Sequence, residues 1–288
     1  MLKSPRRSVL YVPASNEAAL AKVATRGADA VIIDLEDAVA PEAKGEAREA
    51  LKRFFAAGPD PKVEWIIRVN ALSSEWGEED LALAARLEPA GVLLPKVDTP
   101  RDLLEANDVL DDADAPDATR LWAMIETPRA LLNIGAIAEL GRDRGARLSC
   151  LVAGTNDLAK DTGVAAAPDR RYLLPWLMQI VLGARAGGLD VVDGVSNDFR
   201  DLDAFAGECA EAAAMGFDGK TLIHPAQVEP ANRAFSPSAA AIAEAEAIRA
   251  AFARPENLAK GVISLDGRMV ERLHLAQAER LLAKAGKA

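Results

Sequence analysis

Short, wholly apolar runs recur along the chain, and each gives way to polar residues. Val31-Ile32-Ile33 leads into Asp34, Glu36 and Asp37, and Trp65-Ile66-Ile67 into Arg68 and Asn70. Val92-Leu93-Leu94 leads into Lys96, Ala123-Met124-Ile125 into Glu126, and Leu151-Val152-Ala153 into Gly154, Thr155, Asn156 and Asp157. Strands covered on both faces, as in parallel sheets, read as such continuous runs. Predicted strands fall at 8–12, 30–35, 64–70, 91–97, 121–126, 148–153, 189–193 and 219–224. Helix-like segments at 42–55, 74–87, 100–110, 128–140, 169–186 and 202–215 fill the gaps, several opening on proline, a good first helical residue. Alternating strand and helix argues for a parallel sheet with right-handed crossovers, and eight units argue for closure into a (β/α)₈ TIM barrel. An open doubly wound sheet is the alternative. Its dinucleotide-binding form is disfavoured because no Gly-x-Gly-x-x-Gly follows a predicted strand.

After His224-Pro225 the barrel is complete and the chain changes character. Residues 238–253 read as an Ala- and Glu-rich helix, 260–268 as a strand and turn, and 269–284 as an amphipathic helix. The expected organisation is a catalytic barrel at 1–230 and a C-terminal helical extension at 231–288 that closes the active site. In a TIM barrel the residues just past the strands build that site, so the polar residues after each run are the candidates for chemistry.

Composition narrows the partners. A net charge of −10 disfavours nucleic acid, which needs a basic face. Cys150 and Cys209 have no CxxC spacing, so they offer no thiolate metal site and suit a reducing cytoplasm. No apolar stretch approaches the ~18 residues of a membrane span, and the run after Arg6 and Arg7 is too short for a signal-peptide core of ~7–15 residues.

Glu126 and Asp157 are the leading pair. Two carboxylates with hydroxyl and amide neighbours suit Mg²⁺, which takes oxygen ligands and keeps waters, whereas Zn²⁺ lacks its His and Cys donors. The plainer alternative is an ion pair with arginine, or for Glu126, ahead of Thr127-Pro128, a helix cap. Asp34, Glu36 and Asp37 either orient Arg68, Lys96 and metal-bound waters or form a charged loop before Pro41. Arg68 suits a carboxylate or a developing oxyanion, or else an internal salt bridge. Lys96 is placed as a Schiff-base lysine would be, but with so many acids nearby a paired ammonium is favoured. Gly154, Thr155 and Asn156 can offer backbone N–H groups at a helix start. His224 is either a loop residue near the ligand or structural, His274 reads as structural, and Asp266 sits in an ordinary-looking Leu-Asp-Gly-Arg turn.

These motifs in this order resemble the citrate lyase β-subunit-like proteins, grouped with malyl-CoA lyases among the HpcH/HpaI aldolases. The match runs through Arg6–Pro13, Gly27–Val39, Arg68-Val69-Asn70, Leu94-Pro95-Lys96, Ile125-Glu126-Thr127, Gly154–Ala159, Gly219–Gln227 and Asp266–Val270. Ala14 stands where many members carry glycine after the proline. The resemblance implies a barrel acting on coenzyme A thioesters with Mg²⁺ (Mn²⁺ a possible substitute), assembled as a homotrimer or hexamer. It assigns the metal to Glu126 and Asp157, substrate contact to Arg68 and closure of the site to Asp266; together with the reading of the residues, the expected catalytic set is Arg68, Asp266, Glu36 and Asp37. Arg68, Gly154, Thr155, Asn156 and Lys96 are expected to bind substrate and Lys22, Arg26 and His224 the coenzyme A, and the resemblance implies that Asp266 acts from a neighbouring subunit. The implied reaction is cleavage or formation of a 3-hydroxyacyl-CoA such as malyl-CoA or citramalyl-CoA, giving an acyl-CoA and a 2-oxo acid. The alternatives are a citrate lyase β subunit acting on carrier-bound citryl groups, a malyl-CoA thioesterase, a non-catalytic acyl-CoA-binding module, and an aldolase that does not use coenzyme A.

Overall fold

The computed structural model describes residues 5–287 except 166 and 168. These residues divide into two compact units, Arg6–Ala234 and the chain from Phe235 onward together with Pro5. In the first unit, strands β1 (Ser8–Pro13), β2 (Ala30–Asp34), β3 (Glu64–Arg68), β4 (Gly91–Leu94), β5 (Arg120–Ile125), β6 (Leu148–Ala153), β7 (Asp190–Asp193) and β8 (Gly219–Leu222) form a closed parallel barrel. The ring closes where β1 pairs with β8. All eight predicted strands are present.

Helices α1 (Glu17–Val23), α2 (Lys44–Ala56), α3 (Gly77–Leu87), α4 (Pro100–Asp112), α5 (Pro128–Leu132), α6 (Ile134–Glu139), α7 (Thr155–Thr162), α8 (Leu174–Gly187) and α9 (Leu202–Met215) lie between the strands, and α10 (Val228–Phe235) follows β8. Three departures from the predicted helices have local causes. α3 starts at Gly77 rather than Ser74, because the chain turns back on itself there: a Cβ at Gly77 would stand 2.2 Å from the Ala71 carbonyl oxygen. The segment 128–140 is two helices broken at Asn133, whose side-chain amide donates to the Asp98 carbonyl at 2.9 Å. α8 begins only at Leu174, after Arg170 takes a left-handed backbone with φ of 51°.

Alternation inside the strands decides which residues face the barrel axis. One parity supplies the interior: Val9, Ala30, Ile32, Ile66, Leu93, Trp122, Met124, Cys150, Val152 and Val192 pack as one buried cluster, with Tyr11 against it. Continuing that parity by two residues past Ile32, Ile66, Met124 and Val152 brings Asp34, Arg68, Glu126 and Gly154 to the C-terminal mouth. The other parity faces the helices, and there Lys220 of β8 is fully buried against Asp193 and against Glu208 of α9.

The second unit holds α11 (Ala239–Phe252), the antiparallel hairpin β9 (Val262–Leu265) and β10 (Arg268–Glu271), and α12 (Arg272–Lys284). Its cores are Ala251, Phe252, Ile263 and Val270, and Ala245, Ala278 and Leu282. The extension is therefore not helical throughout. The last helix starts at Arg272 rather than Met269, because Met269 and Val270 pair with Ser264 and Ile263. His274 caps that helix, its Nδ1 accepting from the Glu271 N–H at 2.9 Å. Among the described residues no helix is long and apolar enough to cross a membrane.

Candidate active site

A cavity of about 300 Å³ opens at the C-terminal mouth, and its walls include Tyr11, Asp34, Asp37, Arg68, Met124, Glu126, Gly154, Thr155, Asn156, Asp157, Asn197 and Thr221. Its fixed centre is the Asp34–Arg68 pair, opposite one another in the β2–β3 register. Arg68 Nε and Nη2 donate to the two Asp34 carboxylate oxygens at 2.7 and 2.6 Å. This two-point geometry fixes the guanidinium plane. Asp34 also accepts from the Glu36 and Ala38 N–H groups, so the acid that holds Arg68 shapes its own loop. The remaining nitrogen, Nη1, lies 2.8 Å from Glu36 Oε2, close enough for an ion pair but without hydrogen-bond alignment. The guanidinium stands 5.0 Å over the Tyr11 ring.

Glu36 is buried and receives Lys96 Nζ at 2.7 Å. Burial raises the Glu36 carboxyl above its usual range despite Arg68 and Lys96. Burial works against the Lys96 ammonium, but Glu36 outweighs it and the Lys96 pKa is raised. Lys96 is thus a paired ammonium and not an activated amine. Neither Glu36 nor Lys96 lines the cavity; both stand behind it, bonded to groups that do.

Glu126 is 1% exposed. Its Oε1 accepts from the Lys96 backbone N–H at 2.7 Å, an N–H aimed inward by a left-handed Lys96 with φ of 50°. Burial, then the negative charges of Glu36 and Asp157, push the Glu126 carboxyl up to about 7. The helix-cap alternative for Glu126 is excluded. Thr127 caps α5, accepting from Ala130 N–H at 3.0 Å and donating to Asp98. Gly154 makes room for this carboxylate, since a Cβ there would fall 2.2 Å from Glu126 Cβ. Asp157 sits in the first turn of α7, where the helix dipole favours negative charge, with Lys160 Nζ 3.7 Å away. Glu126 and Asp157 are oxygen donors in which negative charge is under-compensated, which suits a divalent cation. Among the described residues no three or more acidic, His or Cys side chains are grouped so that together they could hold a metal ion, so the other coordination positions would fall to water or substrate.

A second cavity of about 240 Å³ adjoins the first and shares Tyr11 and Ile223 with it; Lys22 and Arg26 are in its wall. His224 is in neither wall. It stacks on Phe199 at 4.7 Å and accepts from the Ala226 N–H. Asp266 belongs to the second unit, at the tip of the β9–β10 hairpin with φ of 49°. Sequence reasoning missed Tyr11, Met124, Asn197 and Thr221 as cavity walls. Tyr11 and Thr221 carried a signal, since both lie on the inward strand parity. Asn197 carried none: it joins the site by exchanging amide hydrogen bonds with Asn156 across two loops.

A closed parallel barrel with charged residues gathered at its C-terminal strand ends has the architecture of a TIM barrel, whose active sites lie at that face. The chain belongs to the HpcH/HpaI aldolase/citrate lyase family, whose model matches residues 7–225. It is 46% identical over 281 residues to a (3S)-malyl-CoA thioesterase of Cereibacter sphaeroides, covering 98% of this chain and 95% of that one. It is 34% identical to the mitochondrial citramalyl-CoA lyase of Rattus norvegicus, covering 98% and 86%. In structure it is similar to the Mycobacterium tuberculosis protein CitE in complex with magnesium, acetoacetate and coenzyme A. The TM-score is 0.79 at 29% identity, covering 99% of this chain and 100% of that one.

Proposed function

We propose that this protein is a Mg²⁺-dependent enzyme acting on a coenzyme A thioester of a 3-hydroxy acid of the malyl type. The single observation that carries the reading is the Arg68–Glu126 mouth. A guanidinium locked by Asp34 stands beside under-compensated carboxylates in one cavity. Support for the metal comes from that donor set and from the magnesium bound by CitE. Glu126 and Asp157 would hold the ion, which supplies Lewis acidity toward a hydroxyl or a water. Arg68 meets the oxyanion that develops on the thioester carbonyl. Lys22 and Arg26, in the adjoining cavity, fit the phosphates of coenzyme A. Gly154, Thr155 and Asn156 present the start of α7 to the substrate carboxylate. Asp266, from a neighbouring copy in a homo-oligomer, is the proposed proton donor or acceptor.

Two outcomes share this geometry, because both put negative charge on the same carbonyl oxygen. In hydrolysis, water adds to that carbon, the C–S bond breaks and the thiolate takes a proton, giving malate and coenzyme A. In C–C cleavage, the substrate hydroxyl loses its proton and the bond electrons form an enolate. The enolate is then protonated at carbon, giving acetyl-CoA and glyoxylate. Sequence reasoning put cleavage first. The identity to malyl-CoA thioesterases, 46% against 34% for a citramalyl-CoA lyase, supports putting hydrolysis first. Product analysis with (3S)-malyl-CoA and citramalyl-CoA, with and without EDTA, decides. Free coenzyme A with the intact hydroxy acid is expected, and a 2-oxo acid would restore cleavage. Full turnover in EDTA would remove the metal from the proposal.

A further inference from the structure

Lys44 opens α2 and is 6% exposed, yet it lines neither cavity. An ammonium has three protons to donate. Here all three are matched, with Nζ at 2.8 Å from each of the Leu35 carbonyl, the Glu36 carbonyl and Asn70 Oδ1. The Trp76 ring lies 5.0 Å from the same nitrogen. No carboxylate bonds it directly, and burial lowers its pKa against the pull of Asp34, Asp80, Glu36 and Asp37. A buried charge without a bonded counter-ion is costly, and a well-packed apolar side chain often serves stability better. What it holds is therefore the clue.

Its three acceptors belong to two loops. Leu35 and Glu36 follow β2 and flank the turn that Asp34 shapes; Asn70 stands two residues after Arg68. Asn70 in turn donates to the Leu35 carbonyl at 2.9 Å and to Asp80 at 2.6 Å, and Asp80 is held by Arg48 Nε at 2.6 Å. One ammonium thus ties the segment bearing Asp34 and Glu36 to the segment bearing Arg68, from outside the cavity. We propose that Lys44 is a positioning residue that clamps the β2 and β3 loops together, so that the Glu36 carboxylate stays in register with both Arg68 and Lys96.

This rests on the proposed role of Arg68, so the test needs a readout that does not. Lys44→Met removes the three donors at similar length, and Lys44→Arg keeps the charge but replaces the three-point fan with a plane. For folded Lys44→Met with (3S)-malyl-CoA, kcat is expected to fall about 10²-fold, as a displaced catalytic group does. KM is expected to hold within about threefold, and Lys44→Arg should not rescue. Amide hydrogen exchange should accelerate in residues 35–38 and not across the barrel strands. A kcat close to wild type, or exchange that rises uniformly, would overturn the clamp. If Lys44→Met does not fold, Lys44→Gln, which loses the charge and one donor, takes its place with the same exchange pattern and a smaller fall in kcat. Should the wild type turn over no thioester, the proposed function fails, while the exchange pattern still decides whether Lys44 is a clamp.

Discussion

The two ends of the barrel are both lined with charge, and they balance it differently. At the N-terminal end Arg6 is buried across the Trp122 ring at 4.5 Å, with Glu64 at 2.5 Å and Asp190 at 2.9 Å. Arg7 beside it is paired to Asp29 at 2.8 Å. Arg6 and Arg7 thus meet acids of their own, while the pKa of Arg120 at the start of β5 is lowered by burial and by Arg147 and Arg6. At the C-terminal mouth Asp34, Glu36 and Glu126 are buried, with Asp37 and Asp157 nearby, against Arg68 and Lys96, with Lys160 beside Asp157 and Lys44 behind the β2 loop. Arg68 is committed to Asp34 and Glu36, and Lys96 Nζ to Glu36. Among the described residues, the hydrogen bond to the Glu126 carboxylate comes from a backbone N–H. At the floor Arg6 and Arg7 are matched by bonded acids, which suits a structural plug. The mouth is left short of positive charge, which suits the divalent cation proposed for it.

The largest test of that contrast is Glu126→Gln. It keeps shape and removes charge where the deficit is greatest. If the deficit exists to hold a metal, turnover should fall by several kcal/mol, about 10⁴-fold, with thermal stability retained or raised. Steady-state rates across a Mg²⁺ titration check this. An active variant with an unchanged metal response would mean that Glu126 is a structural acid.

The strands were legible because burial on both faces is a local signal: all eight predicted strands are present, five of them built on wholly apolar runs. Inward residues such as Arg68 and Glu126 were legible for a related reason, since a two-residue parity carries from the core to the mouth. α1 was not anticipated, and α7 only as a helix start at Gly154–Asn156: both are short, and a single residue separates α7 from β6. The burial of Lys44 and Lys220 was not readable either. A lysine at a helix start or in a strand looks solvated until its acceptors arrive from 8 to 27 residues away. Asp193 shows the consequence: fully buried, it is nevertheless held below the usual carboxylate range, with Lys220 and Arg170 outweighing burial. Glu36 and Lys96 were recognised as charged neighbours, but their standing behind the cavity wall depends on a pairing across β2 and β4 loops that no spacing rule contains.

At the floor the complementary substitution is Arg6→Met. It leaves Glu64 and Asp190 without their shared cation, and breaking such a buried pair costs about 3–5 kcal/mol. The effect should be confined to stability. Urea midpoints should drop, while kcat measured well below the transition stays near wild type, since Arg6 touches no cavity residue's partner at the mouth. A large loss of kcat in the folded variant would mean that floor and mouth are coupled, and the contrast would fail.

The smallest effect is a slope. In the metal-free protein the folded-state pKa of Glu126 is about 7 against an ordinary value of 4.5. The folded state therefore binds this proton more tightly than the unfolded chain, so stability is full below about pH 4.5 and declines as pH rises toward 7. Above that it is level. The decline is about 3 kcal/mol at most. Thermal unfolding in EDTA between pH 5 and 8 should show it, superimposed on the other titrations, and Glu126→Gln isolates it because glutamine cannot titrate. Saturating Mg²⁺ should flatten the same interval, because an ion bound to the carboxylate removes the reason to keep the proton. A slope that survives in Glu126→Gln would place the charge deficit on other acids of the mouth, with Glu36, also raised by burial, the next to test.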